Sequence, residues 1–176
     1  MPRLVPASLA APAGLRDFLL EIGDGENGFL GERDVVNGAL HLDAFLRRLV
    51  DMSEGRNLHA GWVPFTTLWL LDDIGAVSGL SRLRHELNPY LLVHGGHIGY
   101  YVARHHRGKG YGTQILALTL IEARRLGLNR VLLTVDSDNE PSIHVIERNA
   151  GVMQEECIDE TTGRLHRLYW IDLARP

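Results

Sequence analysis

The apolar run HIGYYVA ends in ARHHRGKGYG, and TQILALTLIEARRLG follows at once with helical spacing. No other stretch constrains the fold as much: a strand over 97–103 feeds a glycine-rich turn and then a helix over about 112–126, which Gly127 ends. The helix is apolar nearly all round between Ile115 and Ile121, so cover on both sides is expected. RVLLTVD, 130–136, is a continuous apolar run of the kind buried within a sheet. Strand, crossover helix and strand in one sheet make a right-handed connection, so these two strands are expected to run parallel.

The flanking segments have a different character. A short extended piece lies near Arg3 to Val5, and Leu15, Phe18, Leu19 and Ile22 then share one helical face that Gly23 terminates. Leu42, Phe45, Leu46, Leu49 and Val50 repeat that pattern, and GDGENGFLGERDVVNG between the two helices is a charged, glycine-rich loop of the type that borders ligand sites. TTLWLLDDIGAVSGLSRL carries two β-type runs around Asp72-Asp73-Ile74-Gly75, which predicts a hairpin with strands near 66–71 and 76–83. EPSIHVIERNAG starts a short helix with Pro141 in its first turn, and VMQEEC and RLHRLYWIDL are two final strands around ETTG. The expected fold is α/β in the α+β sense: a mixed, mostly antiparallel central sheet, helices on both faces, and one parallel crossover at the glycines. With 176 residues and no repeat or linker, residues 1–176 read as a single domain.

A strand that enters a glycine turn and a helix aims unpaired N–H groups and the positive helix end at one point, which suits phosphate. Glycine permits positive φ and keeps side chains away from the ligand, and Arg104, Arg107 and Lys109 add charge at the rim. A solvated basic loop is the plainer reading of the same residues. A kinase-type phosphate loop is excluded, because Gly108-Lys109-Gly110 lacks its spacing. A dinucleotide fold has some support in Asp136, 24 positions after Gly112, but the glycines run G-x-G-x-G and too little chain follows. The formal charge of −4 gives no long-range pull toward nucleic acid or an anionic membrane, and no window reaches a membrane-spanning length. A single cysteine, Cys157, excludes an internal disulfide, and without a signal-type segment the expected compartment is the reducing cytoplasm.

From His97 to Val152 the sequence resembles the GNAT superfamily of acyl-CoA N-acyltransferases. Arg107-Gly108-Lys109-Gly110-Tyr111-Gly112 fits that family's Gln/Arg-x-x-Gly-x-Gly/Ala signature, and Asn139, Ser142 and Gly151 fit its second pattern, Asn-x-x-Ser/Ala followed by a helix and a glycine. GWVPFTTLWL, GGHIGYYV and VIERNAGV are similar to a bacterial group of predicted acetyltransferases without an assigned substrate. The resemblance implies acetyl-CoA as cosubstrate, and no metal is expected. It also implies a diphosphate cradle from the backbone of Gly108, Lys109, Gly110, Tyr111, Gly112 and Thr113 beside Arg107, and a pantetheine arm paired with Tyr100, Tyr101 and Val102 where the parallel strands splay. Val102 N–H would face the thioester oxygen. Asn139 and Ser142 match positions that touch the pantetheine or sulfur, and equally suit a polar helix start.

The implied chemistry is direct attack of an amine on the thioester, with a base for the ammonium and an acid for the thiolate. Here the chain departs from the family: the usual tyrosine acid falls at Ile146, and Thr134 stands where some members carry a glutamate base. His97 is the first choice of base, against a buried histidine bonded to a carbonyl. Asp136 on the adjacent strand, and His85 and Glu86 at the hairpin's far end, are further candidates; Tyr100 or Tyr101 could supply a phenol for the thiolate. His94 and His97 have metal-ligand spacing without a third ligand, so zinc is discounted. Two functions remain open: an N-acetyltransferase acting on a small-molecule or peptide primary amine, and a non-catalytic acyl-CoA-binding or sensor module. Glu155, Glu156, Asp159 and Glu160 either favour a cationic acceptor or form a solvated face, and the edge of RLHRLYWIDL offers a pairing surface for a homodimer.

Overall fold

The computed structural model describes residues 2–23, 33–158 and 163–173. In chain order the elements are β1 (Arg3–Pro6), α1 (Leu15–Ile22), α2 (Arg33–Val36), α3 (Leu42–Ser53), β2 (Phe65–Leu71), β3 (Val77–Arg84), α4 (Pro89–Val93), β4 (Ile98–Val102), α5 (Tyr111–Arg125), β5 (Arg130–Asp136), α6 (Glu140–Arg148), β6 (Val152–Ile158) and β7 (Leu165–Asp172). A single 3-10 turn, Arg104–His106, lies between β4 and α5. The glycine-rich segment 24–32 and Asp159 and Glu160 lie outside the described residues.

Two antiparallel sheets form, one in the order β1-β2-β3-β4 and the other β5-β7-β6. Period-two alternation sorts the first sheet's side chains. Trp69, Leu71, Leu80 and Tyr101 pack with Phe18 and Leu19 of α1 and Phe45, Leu46 and Leu49 of α3. On the opposite side, Leu68, Leu83 and Ile98 join Leu116, Leu120 and Ala123 of α5, Ile143 and Ile146 of α6, and Val131, Leu133 and Val135 of β5. The helices therefore cover both faces of the first sheet. α5 is buried along Ile115, Leu116, Thr119, Leu120 and Ala123 only. Ile121 is exposed, so the all-round cover expected of this helix is not formed.

The crossover strands β4 and β5 meet at one end and then part. His97 N–H donates to Leu132 O at 2.7 Å, and Gly95 N–H donates to Thr134 Oγ1 at 2.9 Å. Beyond His97, no backbone hydrogen bond joins β4 to β5 among the described residues. Gly96 makes the meeting possible: its φ is +60°, and a Cβ there would run into the Leu132 carbonyl. The sheet thus divides where the family resemblance implies a splay, and the crossover strands, expected side by side in one sheet, belong to separate ladders.

Two elements unmarked in the sequence reading are α2 and α4. α4 begins as a capped turn should, with Asn88 Oδ1 accepting from Leu91 N–H at 2.9 Å and Pro89 in the first position. β7 is paired on both sides, so it has no free edge of its own; the edges of that sheet are β5, which parts from β4, and β6, exposed along nearly its whole length. The expected pairing surface moves to β6 accordingly.

Candidate functional site

The parting of β4 from β5 opens a cleft of about 690 Å³ between β4, the glycine turn, the start of α5 and α6. Its walls include Tyr100, Tyr101, Val102, Arg107, Gly108, Gly110, Gly112, Thr113, Asn139 and Ser142. Pro141, His144, Val145 and Arg148 also line it and were not singled out from the sequence, although they fall on one face of α6. Lys109 and Tyr111 are not among the lining residues; the Tyr111 ring stacks on His106 at 4.3 Å.

The turn is built by two left-handed glycines, Gly108 at φ +72° and Gly110 at φ +84°, and Gly110 caps the 15-residue α5. The first α5 amide bonded back to the turn is Gln114 N–H, which donates to Gly110 O at 3.1 Å. From Gly108 to Thr113 the amide N–H groups donate to no acceptor among the described residues. A run of free donors at the positive end of a helix suits an anion. Arg107 is tied in: its Nε donates to Val102 O at 3.0 Å and its guanidinium lies 5.0 Å from the Tyr101 ring centroid. α6 closes the far wall, since Asn149 Nδ2 donates to Thr113 O at 3.2 Å and a Cβ at Gly112 would touch Val145.

The strand side of the cleft carries a second set of backbone groups. Ala103 N–H donates to Ser78 O and Arg84 N–H to His97 O, which fixes residues 97, 99, 101 and 103 as those bonded toward β3. Tyr100 N–H and C=O and Val102 N–H consequently face the gap, with Val102 C=O already accepting from Arg107, an edge able to pair with an extended amide chain.

The candidate acids and bases are distributed differently from the sequence expectation. His97 is buried, and its Nδ1 accepts from Leu132 N–H at 2.9 Å, so the ring is neutral with its proton on Nε2. Burial, then Arg84 and Arg130, pushes its pKa down to about 4. It does not line the cleft, and its lone pair is committed to the junction between the two sheets, so the geometry gives it a stapling role in place of the expected base. Asp136 is 2.9 Å from Arg164 in an exposed ion pair and lies off the cleft. Tyr101 turns its phenol toward α1, donating to Glu21 Oε1 at 3.2 Å, so only its other atoms can belong to the cleft wall. His85 bonds Thr66 at 2.8 Å, far along the hairpin, and Glu156 is held by Arg167 at 2.9 Å. Asn139 and Ser142 are brought together at the start of α6, where Asn139 Oδ1 accepts from Ser142 N–H at 3.2 Å as a helix cap. Ile146 is fully buried in the core.

A sequence model of the acetyltransferase (GNAT) family matches residues 41–152. The chain belongs to that family of acyl transferases, with its mixed α/β fold and the glycine turn inside the matched region. Among solved structures, it is similar to the ribosomal-protein-S5-alanine acetyltransferase of Vibrio fischeri, at 15% identity and TM-score 0.70, covering 99% of this chain and 96% of that one. It is also similar to mutant forms of the spermidine/spermine N-acetyltransferase of Vibrio cholerae, at 16% identity and TM-score 0.68 over 99% and 96% of the two chains. A third likeness is yncA of Salmonella typhimurium, solved with its cofactor acetyl-CoA, at 17% identity and TM-score 0.62 over 98% and 94%. No curated protein matches the sequence.

Proposed function

We propose that the protein is an N-acetyltransferase that moves an acetyl group from acetyl-CoA to a primary amine by direct attack. The observation that carries this reading is the pairing, in one cleft, of free amides from Gly108 to Thr113 with the open edge at Tyr100 and Val102. A CoA thioester needs both: a diphosphate holder and, further in, a backbone edge for the two amides of pantetheine. Arg107 and Arg148 supply cationic side chains to the same walls. Val102 N–H then stands as the donor to the carbonyl oxygen as it gains charge in the tetrahedral intermediate. The acceptor is a small-molecule or peptide amine; the likeness to a protein named as a spermidine/spermine N-acetyltransferase supports a small amine.

With His97 neutral and committed, the attacking ammonium loses its proton to solvent, and rate derives chiefly from alignment of the amine with the thioester. Reacting groups held in line recover much of the barrier without a dedicated base. The binding-module reading is favoured by one observation, the burial of Ile146 where the family's tyrosine acid falls. An assay of thiol release over a panel of primary amines separates the two. Turnover with any amine is expected; tight acetyl-CoA binding with no CoA thiol released from any acceptor would favour the module.

A further inference from the structure

The Tyr100 side chain packs between α5 and the second sheet, and its hydroxyl is buried without a well-formed hydrogen bond among the described residues. A buried phenol short of a well-formed bond is costly unless a neighbouring polar group serves it, because burial forfeits its bond to water. The group next to it is the Ser142 hydroxyl, in the first turn of α6. Both residues line the cleft. Their position along it is fixed by α6: Val145 and Asn149 abut the start of α5 at Gly112 and Thr113, and Ser142 is one turn earlier, away from the diphosphate end. Of the other lining hydroxyls, Tyr101 is turned to Glu21, and Thr113 belongs to the glycine turn.

We propose that Ser142 and Tyr100 form a relay that protonates the departing sulfur, replacing the acid that Ile146 cannot supply. This rests on the acetyl-CoA reading above. As the tetrahedral intermediate collapses, the C–S bond breaks and sulfur keeps the electron pair. The Ser142 Oγ proton passes to sulfur while the Tyr100 Oη proton passes to Ser142 Oγ. The phenolate is then reprotonated by water carrying the proton lost from the amine nitrogen, so amide and CoA thiol are the only products. Ser142 is the catalytic residue and Tyr100 the positioning residue behind it. Burial raises the Tyr100 pKa, with the Ser142 hydroxyl opposing it, so the phenol holds its proton until sulfur draws it through Ser142.

The test uses CoA itself. In the complex with CoA, ultraviolet titration of the bound thiolate measures whether a donor faces sulfur. Ser142→Ala and Tyr100→Phe are each expected to raise the bound thiol's pKa by about one unit, the effect of one lost charge-assisted hydrogen bond, with CoA affinity changed less than about threefold. With the amine identified by the panel, each should lower kcat about 10- to 100-fold, and the double variant should lose no more than the worse single one. A bound thiol pKa unmoved in both variants, or wild-type kcat in both, overturns the relay alone. Failure of wild-type protein to bind CoA overturns the cofactor reading and the relay together.

Discussion

Protonation of His97 breaks the bond its Nδ1 accepts from Leu132 and sets a charge beside Arg84 and Arg130. In the unfolded chain its pKa is near 6.5, against about 4 when folded, so as pH falls the unfolded chain takes the proton first. The stability this neutral ring contributes is present in full above pH 6.5 and is lost between 6.5 and about 4. The size is roughly 3 kcal/mol. Urea denaturation across that window should show the decline, and His97→Gln should remove most of it; His85 and His106, also shifted down by burial, account for a smaller remainder. An unchanged slope in the variant would assign the effect elsewhere. Two glycines give a second contrast. Gly96→Ala forces a Cβ into Leu132 O at positive φ and should cost more than about 3 kcal/mol, whereas Gly108→Ala meets open space and should cost about 1–2 kcal/mol. Thermal or chemical unfolding of the two variants checks the ordering.

α5 acts as one element with two ends of different purpose. Its middle turns bury Ile115, Leu116, Thr119 and Leu120, while its first turn leaves amides free for an anion. Valine at Gly110 opposes the left-handed cap that orients those amides, yet a Cβ there meets nothing within 4 Å. Gly110→Val should therefore weaken CoA binding at least about tenfold by calorimetry, with a loss of stability of only about 1–2 kcal/mol. Equal affinity in the variant would mean the cradle is not backbone. This element was legible in the sequence because strand, glycines and helix are all local signals. The cleft wall from α6 was half legible: Asn139 and Ser142 were marked by type, while Pro141, His144, Val145 and Arg148 follow from the same helical period once a face is chosen. The bond of His97 to Leu132 could not be read from the sequence, since the two lie 35 residues apart and no local pattern announces it. The same holds for the Tyr100–Ser142 approach across strand and helix.

At the scale of the molecule, two sheets are stapled at Gly95–His97 and splay beyond, and α5 and α6 wall the gap. A ligand that bridges β4, α5 and α6 binds the folded chain only, so it stabilises by mass action. At a concentration about 100 times its Kd, acetyl-CoA should add about 2.7 kcal/mol and raise Tm by about 5–10 °C, read by differential scanning fluorimetry. The fold and an anion-suited turn follow from local sequence and its periods; the acid and base do not, because they depend on how the two sheets are set against each other. The most direct measurement is a crystal structure of the protein with CoA. The diphosphate oxygens are expected within about 3.2 Å of amide nitrogens between Gly108 and Thr113, with pantetheine alongside Tyr100 and Val102. A diphosphate held only by exposed arginine or lysine side chains, or CoA seated outside the gap between β4 and β5, would contradict the account.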